Sequence, residues 1–281
     1  YWGTRGSVPA PGPETVRYGG NTSCVELRVG RRRLILDAGT GLMGLGKAMA
    51  SASKEVIANE ATLFLTHYHW DHIQGLPFFA PAYDPSFRLH FVAPGKDPGE
   101  VESVIRRVMG PVYFPLRWEA LEAELTFENL NEGKWADEDL SVRTVRLRHS
   151  DFTVGYRMET PAGSLVFIPD NELVGGDFPT PRNWRHKILE LASDADLLIH
   201  DGMFTAEEYS SRAGWGHSTF GQCLDLAVEA GAKQLHFFHH SPDRSDDELD
   251  RILDRMREAA RVRSSNLVVE AAAEGRVFTL G

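Results

Sequence analysis

Cysteine is nearly absent from this sequence, with only Cys24 and Cys223 among 281 residues. Two isolated thiols imply no disulfide framework, and a reducing compartment is acceptable. Long apolar runs are missing too: none reaches 18 residues, so no membrane span is expected. The chain opens on Tyr1-Trp2-Gly3-Thr4 rather than Met, no signal peptide is legible within the sequence, and a cytoplasmic location is the default expectation, a removed export signal being the alternative. Positive charge is in deficit, with 30 Lys and Arg against 40 Asp and Glu and a net charge of -10. A protein that grips a long nucleic acid through its phosphates usually carries a basic footprint. A long nucleic acid is therefore not the expected partner. The length suffices for a large core, and no linker-like stretch divides it, so residues 1–281 are read as one domain.

What the chain does have is histidine, eleven in all. In LFLTHYHWDHIQGLPFF, residues 63–79, His67, His69, Asp71 and His72 follow an apolar, strand-like run. Imidazole and carboxylate are proper ligands for a borderline divalent ion. The spacing of two differs from the helical HExxH arrangement, and a polar surface turn is the competing reading. His149, His217, His239 and His240 also stand after apolar runs or in Gly-bounded turns, and Asp170 follows SLVFIP. Ligands drawn from several strand ends are what a metal centre in a cleft needs.

The early chain reads as a hairpin, SCVELRV (23–29) and RRLILD (32–37), then a helix starting within GKAMASA. ATLFLT (61–66) and RLHFV (88–92) are strand candidates, and EVESVIRRVMG (100–110) a helix with a Gly-Pro stop. Residues 111–135 look irregular, suited to a flap or to irregular packing. Four strands follow in ELTFENL, LSVRTVRLRH, FTVGYRME and SLVFIP, with a phase break near Thr144 that suggests a bulge. Thereafter helix and strand alternate, and Ser218 is the expected N-cap of the helix in STFGQCLDLAVEAGA. Two sheets flanked by helices are expected.

HYHWDH resembles the HxHxDH signature of the metallo-β-lactamase superfamily, and further motifs agree in order. GTRGSVP and NTSCVEL resemble the opening of the tRNA 3′-processing endonuclease branch. HSDFTVGYR, FIPDNEL, LLIHDGMF with GHST, and FFHHSP resemble that branch's later motifs. The resemblance implies an α/β fold, a four-layer αβ/βα sandwich, holding two divalent metal ions at one edge. It assigns His67, His69 and His149 to the first ion, Asp71, His72 and His239 to the second, and Asp170 to both. Zinc is the first expectation, with manganese or iron as alternatives. Asp71, Asp201 and His217 are the implied catalytic residues, Asp201 orienting His217 to act on the phosphate ester. Asp201 departs from the Glu usual in the RNA-processing enzymes. Asp37 is expected to steady a ligand imidazole. Homodimers are common in the family, but no interface is legible here.

Such a centre would lower the pKa of a shared water and offset charge growing on a phosphodiester. A metal-dependent hydrolase, most simply a phosphodiesterase, follows. Between Arg157 and Asp170 stands only METPAGSLVFIP, a hairpin's length where the tRNA-processing enzymes insert an RNA-gripping arm. The expected substrate is therefore a small phosphodiester such as a cyclic nucleotide. A ribonuclease acting on RNA ends, a lactonase or thiolesterase, and a non-enzymatic metal-binding scaffold are the alternatives. Arg5, Arg17 and Arg157 are candidate anion contacts. Trp70 and Tyr68 are read mainly as packing, and His240 either faces substrate or packs.

Overall fold

The computed structural model describes residues 1–51, 59–137, 139–263 and 266–280. The first sheet begins with the hairpin of β1 (Val25–Val29) and β2 (Arg32–Leu36). Gly30, at φ 58, supplies the left-handed conformation that this tight turn requires. β3 (Glu60–Phe64), β4 (Arg88–Ala93) and β5 (Glu124–Asn129) then add in parallel, giving the order β1-β2-β3-β4-β5. Between them run α1 (Gly41–Ser51), the single-turn α2 (Trp70–Ile73) and α3 (Pro98–Val108). Asp97 caps α3 by accepting from the Glu100 N–H at 2.9 Å. Of the helix start read in GKAMASA, Ala52 lies outside the described residues.

The second sheet contains β6 (Gly133–Asp137), β7 (Leu140–Arg146), β8 (Val154–Thr160), β9 (Gly163–Ile168), β10 (Leu197–Asp201), β11 (Gln234–Phe238) and β12 (Val268–Ala271). Its order is β12-β11-β10-β9-β8-β7-β6. β6 to β9 are antiparallel neighbours, while β9 to β12 run parallel. The connecting helices are α4 (Trp184–Ala192), the short α5 (Ala206–Tyr209), α6 (Phe220–Ala230) and α7 (Asp246–Arg263). β10 is buried along its whole length, as a central parallel strand covered on both faces must be.

Three apolar layers hold these parts together. Phe64, Leu36 and Val92 from the first sheet meet Tyr156, Phe167 and Phe238 from the second in the middle layer. Leu42, Leu45, Val101 and Ile105 cover the outer face of the first sheet, and Ile188, Leu224 and Leu253 that of the second. Burying each such side chain contributes about 1.5–3 kcal/mol. The result is helix, sheet, sheet, helix, the αβ/βα sandwich expected from the sequence. No helix among the described residues is long and apolar enough to cross a membrane.

Three local readings change. The β7 register runs unbroken from Ser141↔Glu159 to Arg146↔Val154, so no bulge lies at Thr144. The apparent phase break arises because both faces of β7 are covered: Val142 packs between the sheets and Val145 against the helical layer. Residues 111–135 are only partly irregular, since β5 and β6 fall within or across them. The N-cap of α6 is Thr219, in a capping box with Gln222, not Ser218.

Candidate metal centre

Strands that run in the same direction aim their carboxyl ends at one edge, where their next residues leave the ladder and are free to converge. Asp37 follows β2, His67 follows β3, His149 follows β7, Asp170 follows β9, Asp201 ends β10 and His239 follows β11. Ligand atoms of His67, His69, His149 and Asp170 lie within 4.8 Å of one another, as do those of Asp71, His72 and His239. Asp170 joins the groups: Oδ2 lies 3.7 Å from His67 Nε2 and 3.4 Å from His149 Nε2. Its Oδ1 lies 3.2 Å from both His72 Nε2 and His239 Nε2. The structure thus brings together all seven residues that the sequence suggested as ligands, in two groups suited to a dinuclear metal site.

Most rings have one nitrogen tied to the protein and the other turned inward. His67 Nδ1 is 3.0 Å from Thr66 Oγ1, His72 Nδ1 donates to Asp37 Oδ2 at 2.7 Å, and His149 Nδ1 donates to the Gly216 carbonyl at 3.0 Å. Such outer bonds set tautomer and ring orientation at metal sites. Asp37 also accepts from the Thr66 N–H and Ser23 Oγ, both at 2.9 Å, and holds φ 60 to do so.

The donor set fits divalent ions. His67 Nε2 and Asp170 Oδ1 are buried without a hydrogen-bond partner, a costly state for polar atoms. Imidazole nitrogens face each other at 3.0 Å between His69 and His149 and at 3.3 Å between His72 and His239. Burial, then the neighbouring His72, pushes His67 well down, and burial pushes His149 down to about 4. Both are therefore neutral at pH 7, the form that ligates. Burial opposes charge on His72, yet Asp170, Asp71 and Asp37 together hold its pKa well up. The proton there marks a point of strongly negative potential, where a cation is favoured.

Glycines allow the close approach. A Cβ at Gly6 would stand 2.3 Å from His239 Nδ1, and one at Gly216 would stand 2.2 Å from His149 Nδ1. His239 itself adopts φ 56, uncommon for a non-glycine residue and concentrated at functional sites.

With the fold and this geometry in place, comparison with known proteins is decisive for the family. The family described as "Beta-lactamase superfamily domain" matches residues 32–240. This chain belongs to the beta-lactamase superfamily. Superfamily relatives at 23–29% identity carry the name ribonuclease Z. That of Methanosarcina mazei is 27% identical over 298 residues, 88% of each chain. In fold, this superfamily member resembles the short form of human tRNase Z, with TM-score 0.68, 19% identity and 100% and 98% of the two chains covered. It also resembles a diphosphatase of the PhnP family, with TM-score 0.67, 18% identity and 99% and 96% covered. With its clusters of ligands, the chain is a metal-dependent hydrolase.

These relatives, named for ribonuclease activity, overturn the expectation that a long nucleic acid is an unlikely partner. Net charge sums the whole surface and says little about one cleft. The β8–β9 hairpin is indeed tight, pairing Thr160 with Gly163, but a missing arm removes one grip and not every grip.

The candidate anion contacts also fall away from the centre. Arg5 is fully buried and donates to the carbonyls of Gly19, Ser241 and Arg244. Arg17 pairs with Asp247 and Asp250 on the surface, and Arg157 binds Glu159 and the carbonyls of Leu191 and Ser193. His240 packs, with Nε2 donating to the Ala272 carbonyl at 2.9 Å. Tyr68 packs as expected and donates to the Pro94 carbonyl at 2.6 Å, whereas Trp70 is exposed.

Sequence reasoning passed over Glu172 and read Ser218 only as a helix cap. The buried Glu172 carboxylate accepts from the Gly214 and Gly216 N–H groups at 2.9 Å and 2.8 Å, and from the Tyr209 hydroxyl. It thereby fixes the loop that carries His217. Ser218 donates to the Asn171 carbonyl and accepts from the Leu173 N–H, steadying the turn after Asp170. The only early signal for Glu172 was a charge inside the FIPDNEL motif.

Proposed function

We propose that this chain cleaves phosphodiester bonds at RNA ends, with His217 as general acid. The pairing of Asp201 with His217 beside Asp170 carries the reading. Asp201 Oδ2 receives the His217 Nδ1 proton at 2.8 Å, and His217, Asp170 and His239 place ligand-type atoms within 4.8 Å of one another. Burial disfavours the imidazolium, but Asp201, then Asp170 and Asp71, bring its pKa up to about 9. An imidazole oriented and favoured in its charged form by Asp201 can give a proton to a departing alkoxide, which lactone or thiolester cleavage needs less. Support for RNA as substrate comes from the relatives named ribonuclease Z.

His67, His69 and His149 would hold one ion, Asp71, His72 and His239 the other, and Asp170 both. Five imidazoles and two carboxylates suit zinc first, and we propose it as the native metal. When bound, the ions would activate water and offset charge on the phosphoryl oxygens. Asp71, whose Oδ2 accepts from the Ser7 N–H at 2.8 Å, ties the opening loop to the centre.

Metal analysis combined with turnover of 3′-extended structured RNA, short single-stranded RNA, cyclic nucleotides, a lactone and a thiolester tests this. RNA cleavage is expected, reduced about 10²–10⁴-fold in His217→Ala with bound metal retained. Turnover confined to cyclic nucleotides, lactone or thiolester would refute it.

A further inference from the structure

The segment that supplies three ligands also turns one large ring outward. His69 is the extended N-cap of α2, after which Asp71 and His72 point inward and are buried. Trp70 lies between His69 and Asp71 yet is 52% exposed. Its ring meets Tyr113 at 5.7 Å and 64°, and Tyr113 is itself 66% exposed. Packing does not account for two such rings in contact beside a buried polar centre. Tyr113 in turn borders an open groove of about 600 Å³ along α3, lined by Ser103, Arg106 and Arg107. Arg106 is engaged by Glu102 and lies over the Trp118 ring at 4.1 Å. Arg107 is exposed and makes no ion pair among the described residues. On the loop that carries His217, Trp215 is likewise 62% exposed.

We propose that Trp70 and Tyr113 stack unpaired nucleobases next to the cleaved phosphate, and that the α3 groove with Arg107 takes the continuing backbone. The occupant is a single-stranded nucleotide chain. Aromatic platforms joined to a cationic groove are how sequence-tolerant single-strand binding works, because every base offers a π face and every link a charge. Val112 is also exposed on this groove, but Glu102, Arg106 and Arg107 interrupt the apolar surface that a protein partner would need. The inference rests on the phosphodiesterase reading above and deepens it by naming the feature of RNA that is read.

The test uses the zinc-loaded full chain and a fluorescein-labelled RNA hexanucleotide, alongside the same oligonucleotide with abasic sugars flanking the cleaved bond. Anisotropy in a His217→Ala background gives affinities, and turnover by the unsubstituted chain gives kcat/KM. Base-bearing RNA is expected to be preferred, with the preference falling about tenfold in Trp70→Ala and surviving in Trp70→Phe. Arg107→Gln is expected to weaken both oligonucleotides alike and to reduce the salt dependence of binding by about one ion. RNA cleavage with a preference unmoved by Trp70→Ala and Tyr113→Ala would overturn the stacking site while leaving the reaction intact. Loss of zinc from Trp70→Ala would also overturn it, showing that the ring acts through its neighbour His69. Absence of any phosphodiester turnover by the unsubstituted chain would remove both readings.

Discussion

Asp201 Oδ2 lies 2.8 Å from His217 Nδ1, with both side chains buried and the His217 ring stacked at 5.0 Å on that of His239. The Asp201 backbone is held as well, its carbonyl accepting from Cys223 Sγ at 2.7 Å. The groups facing His217 are Asp201, Asp170 and Asp71, with the rings of His149 and His239. Burial opposes charge on His217, but Asp201, then Asp170 and Asp71, raise its pKa from 6.5 to about 9 when no metal is bound. Raised in the folded state, it contributes stability that is fully present below 6.5 and lost as pH rises through about 9. Denaturant unfolding of the chelated protein at about pH 6 and about pH 10 should show this loss, to which the raised His72 also contributes, and Asp201→Asn should make it smaller. Equal pH dependence in the two proteins would contradict the assignment.

Asp37 connects three neighbours at once, so its removal reaches the centre without touching it. Asp37→Asn tolerates the left-handed backbone but leaves an amide opposite the His72 Nδ1 proton. Metal affinity is expected to fall about 10–100-fold, measured by chelator competition. Unchanged affinity would show that the 2.7 Å bond does not orient His72.

Glu172→Gln should loosen the loop before His217. An amide presents one acceptor oxygen where the carboxylate presents two, so a donor among Gly214, Gly216 and Tyr209 is left unpaired. A loss of about 1–3 kcal/mol in urea unfolding is expected, with kcat reduced more than KM is raised. Full stability would mean that the loop is held from elsewhere.

Gly216→Ala meets two obstacles. The residue sits at φ 86, and the added Cβ would stand 2.2 Å from His149 Nδ1. Displacement of that ring should lower the bound metal stoichiometry, read by elemental analysis of folded protein. Gly214→Ala is the matched comparison, since a Cβ there meets nothing within 4 Å although φ is 89. Equal metal contents would show that backbone strain, not the approach to His149, governs both.

Much of this protein was legible in its sequence because strands and their ends leave local marks. Apolar runs ending in His67, His149, Asp170, Asp201 and His239 announced both the sheets and the chemistry, since residues leaving strands of like direction face the same edge. The resemblance carried by HYHWDH and the later motifs supplied the sandwich and the pairing of ligands. Tertiary structure alone decided which charged groups serve the fold. Arg5 and Arg157 read as anion contacts until their carbonyl partners, far away in sequence, were in place. The roles of Glu172 and Ser218 had no local signature, because their partners are loop amides and carbonyls that only folding brings near. Whether Trp70 packed or faced solvent depended on the turn of α2, which buries Asp71 and His72 and leaves the ring between them and His69 outside.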